Sequence, residues 1–126
     1  MMLRNLAKST LRPSMVRSFA AIPVHNVARV ARFHVKDEEA AEAVDAELML
    51  AFEDVRTAPG FQKLTRTVCK SEWAYEISVV FDAEHFGAYM ESDLRKNELA
   101  PRLEKVLGEF STSEVYQGNR VYDEHA

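Results

Sequence analysis

At 126 residues the chain has room for one domain of ordinary size and not two. Its formal charge of -4 is unevenly spread: residues 1–36 carry seven Lys or Arg and no acid, whereas residues 37–126 carry nine basic and twenty acidic residues, a balance of -11. An acidic body repels a polyanion, which argues against nucleic acid as a partner. No apolar run reaches the ~18–20 residues of a transmembrane segment, and a single cysteine, Cys69, rules out an intrachain disulfide and a CxxC metal site.

Residues 1–24 read as an address and a flexible arm. Arg4, Lys8, Arg12 and Arg17 alternate with Leu3, Leu6, Leu11, Met15, Val16 and Phe19, with Ser and Thr but no acid. A helix through residues 2–11 turns the leucines away from the bases, as in a basic amphipathic transit peptide; a secretory signal would need a continuous apolar core. Arg17-Ser18-Phe19-Ala20 resembles a mitochondrial cleavage pattern with the cut after Phe19. The expected localisation is the mitochondrion, in the matrix, with a plastid address as the alternative.

The folded domain is expected over residues 25–126. Its first strand spans 27–36, with Ala31, Phe33 and Val35 on one face and Val30, Arg32 and His34 on the other. Asp37 caps the next helix, with Glu38 and Glu39 in its first turn, where exposed amides favour negative charge. Ala41, Val44, Leu48, Ala51, Phe52 and Val55 then recur at helical spacing. The segment Thr57-Ala58-Pro59-Gly60 stops this helix, since proline lacks an amide donor and glycine permits the reversal.

A mixed strand, 61–69, and a polar turn, Lys70-Ser71-Glu72, lead into a nine-residue strand from Trp73. Trp73, Tyr75, Ile77, Val79 and Phe81 form its apolar face. Asp82 caps a short helix to Glu91. A second helical pattern runs through Leu94, Leu99, Leu103, Val106 and Leu107, interrupted or opened by Pro101 and ended by Gly108. Residues 111–122 form the last strand, with Gly118-Asn119 as a bend or bulge.

The order is β-α-β-β-α-β: a ferredoxin-like α+β fold with an antiparallel sheet and helices on one face. Val30, Val68, Ala74 and Val80 make the second face too apolar for water. A second subunit packed sheet against sheet, a homodimer or a paralogous partner, closes it economically.

These segments together resemble the dimeric α+β barrel proteins of the antibiotic-biosynthesis-monooxygenase and stress-responsive barrel group. The resemblance covers about residues 28–123. It rests on the strand ARFHVK before a long acidic helix, the Ala58-Pro59-Gly60-Phe61 junction, and the strand 73–81 running into Asp82-Ala83-Glu84-His85-Phe86-Gly87-Ala88-Tyr89. It implies the dimeric barrel, and a range of roles from cofactor-independent oxygenation of aromatic or quinol substrates to haem degradation, isomerisation or no chemistry at all. The haem-degrading pattern needs an axial histidine, but the neighbourhood Tyr89-Met90-Glu91-Ser92 has none.

Trp73, Tyr75 and Tyr89 are the candidate substrate-binding residues, able to stack on an aromatic ligand, although packing alone also accounts for Trp73 and Tyr75. His85, Tyr89 and Asn97 are the candidate catalytic residues if the protein is an enzyme: an imidazole base, a phenol and an amide able to orient an oxygen. His34 and His85 alone make no metal site, and no glycine-rich phosphate loop or nucleophile elbow occurs. No cofactor or metal is expected. The favoured reading is therefore a non-catalytic mitochondrial assembly or interaction protein, an accessory subunit of a larger complex. The alternative is a cofactor-independent monooxygenase or related enzyme for a small aromatic or quinol substrate.

Overall fold

Segments of period two fold as strands and segments of helical spacing as helices in the computed structural model, which describes residues 22–125. Most of the expected leader lies outside the described residues, including the cleavage pattern. Strand β1 is Asn26–His34, helix α1 Glu38–Ala51, strand β2 Phe61–Cys69, strand β3 Ala74–Asp82, helix α2 Ala83–Glu91, helix α3 Ala100–Phe110 and strand β4 Tyr116–Tyr122. A 3-10 turn, Glu53–Thr57, extends α1, and a π-helical turn, Leu94–Leu99, precedes α3. The strands lie in the order β2-β3-β1-β4 and every neighbouring pair is antiparallel. This is the ferredoxin-like arrangement. Within one chain the sheet is open and does not close into a barrel.

Both expected caps form. The Asp37 side chain accepts from the Ala40 amide at 2.9 Å, and Asp82 accepts from the His85 amide at the same distance. Each satisfies an amide that the first helical turn would otherwise leave bare. Between sheet and helices, Phe33, Tyr75, Ile77, Val79 and Phe81 meet Val44, Leu48 and Val55, all nearly fully buried.

Several local expectations are corrected. Trp73 does not begin β3; it ends the turn before it, with φ +55° in the left-handed region. Its amide donates back to the Cys69 carbonyl at 2.6 Å. The turn needs a residue there that glycine would fill more easily, and the indole is held by packing against the core. Gly108 does not end α3, which continues until Phe110 packs on the core. Pro101 does open α3, and the turn before it is π-helical. A proline cannot donate to the carbonyl four residues back and its ring crowds that carbonyl, which wider winding relieves. Gly118 makes no bulge, since the β1–β4 register is unbroken; the Tyr116 ring lies where its side chain would be.

The second sheet face is less apolar than expected, because Val68 points into the helix-covered core. Ala28, Val30 and Val80 do share the open face and are buried beside Tyr122. The Tyr122 hydroxyl donates to Glu124 at 2.8 Å, and Glu124 pairs with Lys63 of β2. Thr65 and the buried Ser78 satisfy each other at 2.6 Å on that face.

Candidate functional site

Tyr89 reaches the sheet from α2, and its ring stacks on Phe81, with centroids 4.2 Å apart and planes 20° from parallel. Only 5% of it is exposed. Among the described residues its hydroxyl has no hydrogen-bond partner. Burial raises its pKa to about 12, against an opposing pull from Arg95 and Arg29. The group is therefore a neutral phenol at physiological pH, able to donate but not to act as a standing base.

The hydroxyl-bearing ring lines a partly open cleft of about 230 Å³ between the sheet and the π-turn and α3. Ala31, Ile77, Val79, Leu99 and Leu103 are among its apolar lining, and Arg29, Arg95, Glu104 and Gln117 are its polar groups. Arg29 enters through register. It lies two residues before Ala31 and four before Phe33, so it shares their helix-covered face. The ladder pairs it with Asn119 of β4. Its guanidinium donates to Asn119 Oδ1 at 3.1 Å and Gln117 Oε1 at 3.5 Å. Burial, then the nearby Arg95 charge, lowers its pKa, but an arginine stays charged. Arg95 stands in the π-turn, with its amide donating to Ser92 Oγ at 3.2 Å and its guanidinium to the Met90 carbonyl at 3.5 Å.

Of the residues singled out from sequence, Tyr89 alone lines this cleft. Tyr75 is fully buried in the core, its hydroxyl donating to Asp45 Oδ1 at 2.8 Å, and Asp45 also meets Arg66 at 3.0 Å. Trp73 packs at the hairpin end. Asn97 is exposed on the π-turn, where its amide donates to Asp93 at 3.4 Å. His85 borders a second recess of about 340 Å³ with Ala58, Pro59, Ala88, Ser92 and Leu94, which shares Tyr89 with the first.

The His85 ring is tied to Asp82: its Nδ1 lies 2.8 Å from Asp82 Oδ1. That hydrogen bond raises the His85 pKa and lowers that of Asp82. With Glu84 these two bring three donor atoms within 4.8 Å of one another. The spacing suits a cation, but the Asp82 carboxylate is already engaged as the α2 cap. Sequence reasoning missed Arg29, Arg95, Glu104 and Gln117. Arg29 had a signal, a charged residue in an otherwise apolar register; the others had none.

No family model matches the chain, and no curated protein does. Solved structures do. The fold is similar to Rv0793 from Mycobacterium tuberculosis, with TM-score 0.61 and 17% identity over 80% of this chain and 98% of that one. A Nitrosomonas europaea protein provisionally described as an antibiotic biosynthesis monooxygenase gives TM-score 0.61 and 9% identity, covering 81% and 94%. SnoaB from Streptomyces nogalater, a cofactor-independent oxygenase, gives 0.52 and 23%, covering 80% and 96%. The class so defined is a ferredoxin-like α+β domain, a fold shared with these solved structures. At these identities the likeness is one of fold, and the resemblance drawn from the sequence holds at that level.

The expectation of a non-catalytic assembly protein, an accessory subunit of a larger complex, is corrected. The solved structures that share this fold include a cofactor-independent oxygenase, and the chain has a cleft carrying a buried phenol and two guanidiniums.

Proposed function

We propose that the chain is a cofactor-independent oxygenase, or a closely related enzyme, acting on a small aromatic or quinol substrate in the cleft beside Tyr89. The observation that carries this reading is the buried Tyr89 hydroxyl, which has no hydrogen-bond partner among the described residues, in a cleft that also holds Arg29 and Arg95. Two positive charges favour the ionised form of a phenolic or enolic substrate. The neutral phenol of Tyr89 is suited to donate to its oxygen. Such an anion is electron-rich enough to reduce dioxygen itself. In the simplest stoichiometry, a ring CH2 loses two hydrogens and gains one oxygen atom as a ketone. The second oxygen atom leaves as water, and the substrate supplies all four electrons.

Oxygen uptake by the purified chain, mixed with an anthrone or a naphthoquinol in air, tests this. The expected result is a rate above the spontaneous one, incorporation of labelled oxygen into the product of the anthrone, and loss of most of the gain in Tyr89→Phe and Arg95→Gln. Rates equal to the spontaneous reaction for both substrates would overturn it.

The same proposal includes a homodimer joined through the open sheet face, supported by the half-exposed Tyr116 on that face. It also retains a mitochondrial address in the basic leader, which a fluorescent fusion of residues 1–24 would test. No helix among the described residues is long and apolar enough to cross a membrane.

A further inference from the structure

We infer that the cleft beside Tyr89 selects aromatic acids of up to three fused rings, with the substrate carboxylate held between Arg29 and Arg95. The inference rests on the oxygenase reading for its site and goes beyond it in naming the substrate class. Among the described residues neither arginine makes a salt bridge. Arg29 donates to two neutral amide oxygens, those of Asn119 and Gln117, and Arg95 to a backbone carbonyl. These contacts aim the guanidiniums and leave their charge uncancelled.

Among the described residues the only acid lining the cleft is Glu104, which is exposed and pairs with neither arginine. Two positive charges against one negative is the reverse of the surrounding body, where residues 37–126 sum to -11. An anion repelled elsewhere on the surface therefore finds its favourable site here. A carboxylate matches a guanidinium fork in shape as well as charge.

Size bounds the rest of the ligand. The cleft, about 230 Å³, falls below the roughly 300–1,000 Å³ of sites for drug-sized molecules. Its apolar lining of Ala31, Ile77, Val79 and Leu103 suits a compact, flat ring system.

Calorimetric titration of the full chain with 2-naphthoate, 2-naphthamide and pyrene-1-carboxylate tests this. The acid should bind at least about tenfold more tightly than the amide of the same shape, and the four-ring acid should bind more weakly than the two-ring one. Arg95→Gln, in the half-exposed π-turn, should erase the acid preference while leaving the amide affinity within about twofold; Arg29→Gln should do the same if it folds by circular dichroism. Equal affinities for acid and amide, binding of neither, or a preference that survives Arg95→Gln would overturn the inference. Oxygen uptake with a neutral quinol alongside equal affinities would sink the acid preference alone. Acid preference without oxygen uptake on any substrate would sink the oxygenase reading alone.

Discussion

Tyr89 combines two properties that usually exclude each other: near-complete burial and a hydroxyl without a partner. A hydroxyl with no partner among the described residues gives the fold no intramolecular bond to lose, so its removal should not harm the fold. Tyr89→Phe is expected to change stability by less than ~1 kcal/mol, or to raise it, while slowing oxygen uptake. Thermal melts and oxygen-electrode rates on the same preparation check both halves, and a loss of stability above that limit would point to a hydrogen-bond partner. Gly60 carries the opposite constraint. Its φ of +84° lies in the region glycine favours, and an added side chain would overlap His85. Gly60→Ala should cost ~1–3 kcal/mol in urea unfolding, since strain and collision act together. A cost near zero would mean that α2 can shift away from the turn.

At the scale of elements, α2 is a functional helix because both of its ends are tied down. Asp82 caps its start and binds the His85 ring, while Ser92 Oγ donates to the Tyr89 carbonyl at 2.6 Å at its end. The Asp82–His85 pair makes a pH prediction whose sign can be worked out. Asp82 is lowered in the folded state, so its stabilisation is present above the ordinary carboxyl value of about 3.9 and is lost as pH falls. His85 is raised, so its stabilisation is complete below about 6.5 and is lost as pH rises through its folded value. The pair is worth most between those limits. The urea midpoint should be higher at pH 5.5 than at pH 8.5, and Asp82→Asn should shrink that difference. An unchanged difference in the variant would place its origin elsewhere. The π-turn matters equally, since its winding ahead of Pro101 sets where Arg95 points relative to α3.

For the whole molecule, the open sheet face decides the assembly. Its apolar centre, Ala28, Val30 and Val80, is small and already shielded by Tyr122 within the chain. Tyr116 stands 45% exposed on the same face, with Arg120 over its ring at 5.3 Å. Light scattering should give twice the chain mass for the wild type and a single chain mass for Tyr116→Glu, with little change in melting temperature for the separated chain. A wild-type monomer at micromolar concentration would remove the dimer from the proposal without touching the cleft, which is built from one chain.

Element types and their order were legible without coordinates, because alternation, helical spacing and caps such as Asp37 and Asp82 act over a few neighbouring residues. Tyr89 was legible too, as an aromatic at the buried spacing of a short helix. Asn97, two residues beyond Arg95 in the π-turn, lies exposed to solvent while Arg95 faces the cleft. Trp73 was misjudged because its turn conformation breaks the alternation that its neighbours keep. What only the tertiary structure decided is the meeting of Arg29 with Gln117, Asn119 and Arg95. The partners on β4 lie 88 and 90 positions away in the chain, and they are brought together by the antiparallel pairing of β1 with β4. No local pattern encodes that register; it is set when the whole sheet packs its apolar face against the helices.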